Sequence, residues 1–234
     1  MSLLRVRDLW VTLSGLTILQ GVSFEVAESG VTVLLGRNGV GKTTTLRAIL
    51  GLAPVSRGEV AVGGAPITGR RTHTLVQQGL GYVPEDRCVF AGLTVAENLR
   101  LAERAPGKGD YDLVFELFPE LRTRSAQRAG SLSGGQQQML SLGRVLLNDN
   151  RLLLVDEPTK GLAPKVVTEV AEALARVAER VPVLLVEQNL AVVRRLAGDA
   201  VVLAAGQVAW TGDARELLGD AGLTKSLLGV GSHS

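Results

Sequence analysis

The chain has 234 residues, with 25 Lys+Arg against 23 Asp+Glu and a formal net charge of +2. At roughly 150 residues per domain this length makes one or two domains, and 46% hydrophobic against 21% charged residues excludes a mainly disordered chain. The near-neutral balance lacks the basic stripe of a nucleic-acid binder, so no nucleic-acid partner is expected, and a single cysteine, Cys88, excludes a disulfide-stapled domain.

The N-terminal thirty residues read as strands. Leu4 and Val6 alternate with Arg5 and Arg7, and Val22, Phe24 and Val26 alternate with Ser23, Glu25 and Ala27, the period-two pattern of a half-exposed antiparallel sheet. VTVLLG (31–36) is a short apolar run ending in glycine, the signature of a strand buried on both faces of a parallel sheet. A Gly-rich turn follows, then a helix expected over Thr43 to Leu52 with Leu46, Ile49 and Leu50 on one side. Strand, glycine loop and helix together open an α/β nucleotide fold.

Pro54 to Gly69 reads as strand and turn, with a strand at Glu59 to Val62. From about Glu85 to Leu147 the pattern turns mostly helical. Thr94 with Glu97 predicts a capping box before VAENLRLAER. APGKGD (105–110) reads as a loop, as does Gly130 to Gly135, which leads into a helix with Met139, Leu142, Gly143 and Leu146 on one face. LLLVD (152–156) and VPVLLVE (181–187) read as two more buried strands, with a helix between them carrying Val166, Val170, Leu174 and Val177. The sequence VVLAAGQVAWTGD reads as a hairpin turning at Ala205-Gly206. These elements are read as one domain over 1–234, a core of about 1–85 and 151–234 interrupted by a helical insert at about 86–150.

No apolar run approaches the ~18 residues of a membrane span, and MSLLRVRDLW is not a signal peptide. His73 and His233 with one cysteine do not make a zinc site. Cys88 reads as a small apolar filler, the Arg pairs 70–71 and 194–195 and His73 as solvated surface, and Phe90 and Leu93 as exposed.

Three motifs carry chemistry. Gly36-Arg37-Asn38-Gly39-Val40-Gly41-Lys42-Thr43 matches G-x-x-x-x-G-K-[ST] between an apolar strand and a helix. Its glycines let successive N–H groups face inward as an anion nest, and the helix N-terminus adds its positive end. Lys42 supplies a charge to the β- and γ-phosphates, and the Thr43 hydroxyl is placed to ligate Mg²⁺. LLLVDEP then puts Asp156 at the carboxyl end of a buried strand, where it can hold Mg²⁺ through its water shell, with Glu157 as candidate general base for the water attacking the γ-phosphate. Finally Leu132-Ser133-Gly134-Gly135-Gln136 offers a Ser N-cap before a helix, and also a second anion nest. One nucleotide does not need two such nests in one chain.

A phosphate loop, then LSGGQ, then an apolar strand ending Asp-Glu-Pro resembles the ATP-binding-cassette (ABC) ATPases over essentially the whole chain. The resemblance implies an α/β P-loop NTPase core with a mostly parallel sheet, an antiparallel β-subdomain and an inserted helical subdomain. It also implies two cassettes, in a homo- or heterodimer, sandwiching ATP with Mg²⁺. Gly36 to Thr44 would hold a nucleotide that Ser133, Gly134, Gly135 and Gln136 of the other cassette complete. Lys42, Thr43 and Thr44 would bind phosphates and Mg²⁺, and Glu157 would activate water.

Four positions depart from the general family pattern. Glu85 in YVPE stands where a Gln would contact Mg²⁺ and the attacking water. Gln188 in VEQN stands at the switch position usually held by His, and donates to phosphate without carrying a proton. Ala163 replaces an Asp that reaches across the dimer. Leu13 takes the place of the adenine-stacking aromatic, with Trp10 a nearby substitute. Together with DEPTKGLAP, these departures resemble the second ATPase subunit of branched-chain amino-acid importers. The importers of urea and short amides share much of the pattern, and a soluble non-transport ABC ATPase is the remaining alternative. The implied partners are a second ABC ATPase, two membrane permease subunits whose short coupling helix docks near Phe90 and Leu93, and indirectly a solute-binding protein. The implied location is cytoplasmic, on the inner face of the cell membrane.

Overall fold

The computed structural model describes residues 2–229; His233 lies outside them. In chain order the elements begin with β1 (Ser2–Leu13), β2 (Leu16–Ala27), β3 (Val31–Leu35), α1 (Lys42–Ile49), β4 (Val55–Val62), β5 (Ala65–Pro66), α2 (Thr72–Gln77) and β6 (Leu80–Val83). Next come α3 (Val95–Ala102), α4 (Tyr111–Leu117), α5 (Pro119–Thr123), a 3-10 turn (Ala129–Ser131), α6 (Gly134–Leu146), β7 (Leu152–Asp156) and α7 (Pro164–Ala178). The chain closes with β8 (Val183–Val186), α8 (Leu190–Leu196), β9 (Asp199–Ala204), β10 (Gln207–Asp213), α9 (Ala214–Gly219) and α10 (Ala221–Leu228).

The strands form two sheets. A six-stranded sheet runs β10-β9-β3-β8-β7-β6, parallel except for the antiparallel edge pair β10 and β9. A four-stranded antiparallel sheet runs β2-β1-β4-β5. The six-stranded sheet is covered on both faces, which is why its central strands are buried throughout and almost wholly apolar. On β7, Leu153 and Val155 join Val33, Leu185 and Val202 in a core shared with α3, α6 and α7, while Leu152 and Leu154 join Leu34, Leu184 and Leu203 in a core shared with α1 and the antiparallel sheet. Burying each such side chain stabilises the fold by about 1.5–3 kcal/mol.

Period two also decides where the chemistry goes. Asp156 follows Leu152 and Leu154 onto the α1 face, and Leu34, Val186 and Asp156 lie abreast in the sheet. The carboxyl ends of β3, β8, β7 and β6 lie side by side along one edge, where an α/β sheet binds its ligands. The loops starting at Gly36, Glu187, Glu157 and Pro84 therefore converge.

Several boundaries differ from the sequence reading. The α1 helix stops at Ile49, because Gly51 takes φ +68° with Arg70 O only 2.4 Å from where a Cβ would sit; Leu52 is exposed. The strand expected at Glu59 starts at Val55, where β1 provides pairing. Residues 85–94 are loop, and helix begins only at Val95, behind the Thr94 and Glu97 capping box, ending at Ala102. Gly134 and Gly135 are the first turn of α6 rather than loop. The short elements α2 and β6 have no counterpart in the sequence reading. The hairpin turns at Ala205 and Gly206, both at positive φ as a tight two-residue turn requires. Leu93 is half-buried, whereas Phe90 is exposed under the Arg144 guanidinium, 5.0 Å from its ring centroid. Cys88 is no core filler: it is exposed at φ +48°, its thiol donates to Asp86 Oδ1 at 2.9 Å, and that bond raises its pKa.

Candidate functional site

The loop between β3 and α1 is fixed by its glycines. Gly36 takes φ +144°, and a Cβ there would lie 2.4 Å from Leu203 O. Gly41 takes φ +106° as the N-cap of α1, with no side-chain cap and no acidic residue in the first turn. The first N–H groups of α1 thus have no anionic partner of their own and carry the positive end of the helix dipole. Lys42 folds back beneath the loop, donating from Nζ to Gly36 O at 2.9 Å and Arg37 O at 3.1 Å. Burial lowers its pKa, opposed by the Glu157 and Asp156 charges.

Two carboxylates meet this loop from the end of β7. Asp156 is fully buried, and its Oδ1 accepts from Thr43 Oγ1 at 3.2 Å. Its Oδ2 is buried without a hydrogen-bond partner. Burial raises its pKa from 3.8 to about 6 against the Thr43 hydrogen bond, with Glu157 and Glu85 adding to the rise. Glu157 is 8% exposed and holds φ +43°, a left-handed conformation that costs about 1–3 kcal/mol in a non-glycine residue. Such strain persists where the surrounding fold enforces it. Its Oε1 lies 3.7 Å from Lys42 Nζ and accepts from Gln188 Nε2, and its Oε2 lies 3.3 Å from Lys160 Nζ. Lys160 Nζ also reaches Glu85 Oε1 at 2.6 Å. Glu85 is thus held by a lysine that the sequence reading did not single out.

A cleft of about 380 Å³ opens over this group, lined by Asn38, Gly39, Gly41, Lys42, Thr43, Thr44, Glu85, Glu157, Lys160 and, on its apolar side, Leu13 and Ile18. Leu13 lines the cleft. Trp10 does not line it: its indole donates to Asp8 Oδ1 at 2.8 Å and stacks near Gly21. Arg37 and Val40 belong to the loop but do not line the cleft either; Arg37 sits beside Gln188 and Leu228.

Ser133 to Gln136 are also absent from this lining. Ser133 is exposed and caps α6: its Oγ accepts from Gln136 N at 3.3 Å, and Gln136 Oε1 accepts from Ser133 N at 3.1 Å. Gln136 Nε2 is spent on Glu120 Oε2 at 2.8 Å. A Cβ at Gly135 would lie 2.5 Å from Val166 Cγ1, so a side chain there would have to displace Val166.

A phosphate-cradling loop, a strand-end Asp-Glu pair beside it and a separate capped Ser-Gly-Gly helix start make one recognisable set. The family model for ABC transporters matches residues 19–160. This chain belongs to the ABC transporter family. It is 36% identical over 221 residues to a probable branched-chain amino acid transport ATP-binding protein LivF of Archaeoglobus fulgidus, covering 92% of this chain and 94% of that protein. It is 41% identical over 195 residues to the high-affinity branched-chain amino acid transport ATP-binding protein BraG of Pseudomonas aeruginosa, covering 81% and 84%. The fold matches a nucleotide-free ATP-binding cassette of an ABC transporter with a TM-score of 0.84 at 24% identity, covering 96% of this chain and 98% of that one. The chain is thus an ABC ATPase.

The donor set also fits Mg²⁺. A hydroxyl and a buried carboxylate with an unpartnered oxygen are what a hard cation takes from a protein when phosphate and water supply the rest. Among the described residues, no group of three or more His, Cys, Asp or Glu could hold an ion by themselves.

Three contributors escaped the sequence reading: Lys160, Thr159 and Glu187. Each has a partner 28 or more residues away, as in the Thr159 to Glu187 and Lys160 to Glu85 bonds.

Proposed function

We propose that this chain is the ATP-hydrolysing subunit of an importer for branched-chain amino acids. The observation that carries the ATPase part is the meeting of Lys42 and Thr43 with Glu157 and Asp156 at one strand edge. The solute rests on similarity to the LivF and BraG relatives along most of the chain.

In this reading the α1 N-terminus, Lys42 and Thr44 hold the phosphates, with Gly36, Arg37, Asn38, Gly39, Val40 and Gly41 shaping the loop and Leu13 against the adenine. Thr43, Asp156 and Glu85 would hold Mg²⁺, which when bound draws charge from the phosphate oxygens. Glu157 orients a water and takes its proton. The Gln188 amide, free to donate but not to relay a proton, steadies Glu157 and then the γ-phosphate. Glu85 reaches this work only when Lys160 releases it. Ser133, Gly134, Gly135 and Gln136 do not line their own chain's cleft and would complete the nucleotide site of a second cassette.

Importer ATPases of this family work with membrane permease components. Among the described residues no helix is long and apolar enough to cross a membrane. In this reading the permeases are separate chains, a solute-binding protein delivers the solute to them, and this chain sits at the inner membrane face. A groove of about 640 Å³ whose lining includes Pro84, Asp86, Arg87, Cys88, Arg104 and Arg144 would receive the permease coupling helix next to Phe90.

The test is co-purification from detergent-solubilised membranes with ATP and Mg²⁺. Recovery of two multispan proteins, a second cassette and a binding protein that takes leucine or valine supports the proposal. A binding protein that takes urea instead moves the reading to the amide importers, and ribosomal partners without membrane chains sink the transport reading.

A further inference from the structure

We propose that Glu187 and Thr159 form a positioning pair that sets the Gln188 amide on the Glu157 carboxylate. The proposal rests on the ATPase reading of the same site. Glu187 directly follows β8 and is 2% exposed, and Thr159 lies two residues past Glu157 and is 5% exposed. No cation pairs with Glu187 among the described residues, so this buried carboxylate depends on hydrogen bonds alone to offset its desolvation. It has three. Oε1 accepts from the Thr159 hydroxyl, and Oε2 accepts from Gln188 N at 2.7 Å and Asn189 N at 2.8 Å.

These bonds close a ladder between two strand-end loops. Its first rung is Glu157 N donating to Val186 O at 2.9 Å. Its second is Thr159 to Glu187, and its third is Gln188 Nε2 to Glu157 Oε1. Gln188 itself is exposed. A free glutamine side chain of this kind loses rotamer freedom on being fixed. Fixing the Gln188 and Asn189 backbone from beneath aims the amide before it reaches Glu157. Asn189 Oδ1 then accepts from Ala191 N at 3.0 Å, so the same anchor leads into the start of α8. A position where a histidine ring would be stiff thereby gains stiffness from its neighbour. Glu187 and Thr159 act through Gln188 and touch no reacting atom.

The experiment uses the full chain with Thr159→Val, which removes the hydroxyl and keeps the shape, and Thr159→Ser, which restores it. In ATP hydrolysis Thr159→Val should lower kcat about tenfold, the scale of one lost hydrogen bond to a charged group, with KM for ATP changed less than about twofold. Thr159→Ser should recover most of that loss. In a Gln188→Ala background Thr159→Val should add less than about twofold, since effects that run through one side chain do not add. Independently of turnover, the Gln188 side-chain amide proton signal in ¹⁵N-resolved NMR should be displaced in the wild type and in Thr159→Ser. It should collapse to the position of a free glutamine in Thr159→Val. An unchanged Gln188 signal in Thr159→Val, or an equal kcat loss with and without Gln188, overturns the proposal. A wild-type chain that cleaves no ATP contradicts the ATPase reading, and the amide signal still decides this one.

Discussion

Thr43 Oγ1 donates to Asp156 Oδ1 at 3.2 Å, joining the start of α1 to the end of β7 across 113 residues of sequence. That single contact ties the phosphate loop to the strand that bears both carboxylates. It leaves Asp156 Oδ2 buried and unpartnered, which makes Asp156 a source of instability that a bound cation would relieve.

The pH dependence follows. The folded pKa of Asp156, about 6, lies above its ordinary 3.8, so folding favours the protonated form. The penalty is absent below about pH 4, grows as pH rises through the window to 6, and is complete above it. Two units correspond to on the order of 3 kcal/mol. Asp156→Asn should therefore stabilise the nucleotide-free chain at pH 7.5 by up to about that amount, with the gain falling to roughly a third at pH 4.5. Urea unfolding of both proteins at the two pH values checks this, and a gain as large at pH 4.5 as at pH 7.5 rules it out.

Gly36 and Gly39 separate two kinds of glycine requirement. Gly36 has φ +144° and a Cβ site 2.4 Å from a backbone oxygen, while Gly39 has φ +82° and open space. Gly36→Ala should cost more than about 3 kcal/mol or prevent folding, and Gly39→Ala about 1 kcal/mol of left-handed strain. Thermal unfolding in the absence of nucleotide reads the difference; equal losses would mean the loop relaxes around Gly36.

Gly134 and Gly135 both open α6, where alanine is favoured over glycine by up to about 1 kcal/mol. At Gly134 the nearest atoms to an added Cβ belong to the flexible Arg87 guanidinium at 3.2 Å, so Gly134→Ala should be neutral or stabilising. At Gly135 the Cβ would meet Val166 Cγ1 at 2.5 Å, and overpacking of about 1–3 kcal/mol should win over propensity. Gly135→Ala combined with Val166→Ala should recover stability; if it does not, the contact with Val166 is not the cause.

The parts of this fold that were readable in advance are those where local pattern and tertiary demand agree. Val31–Leu35, Leu152–Asp156 and Val183–Val186 are buried on both faces because the sheet is covered on both faces. The Thr94 and Glu97 capping box is a local device, visible at three-residue spacing. In contrast, β6 (Leu80–Val83) is four residues containing a glycine and a tyrosine, and only pairing with β7 makes it a strand. Cys88 departs from what its hydrophobicity suggests, because its neighbour Asp86 accepts its thiol in a left-handed turn. Within the site, Lys42, Thr43, Asp156 and Glu157 sit in motifs whose spacing encodes their meeting. Glu187 and Lys160 carry no such spacing, because what they do is decided by loops that converge only once the sheet has formed.

The central claim is that Glu157 activates the water that cleaves ATP at this strand edge. Single-turnover cleavage of ATP, measured with nucleotide occupancy on the wild type and on Glu157→Gln, tests it most directly. Removing a positioned general base should slow cleavage by about 10²–10⁴-fold, with Mg²⁺-dependent ATP occupancy retained because Lys42, Thr43 and Asp156 are untouched. Cleavage by Glu157→Gln at the wild-type rate would contradict the account.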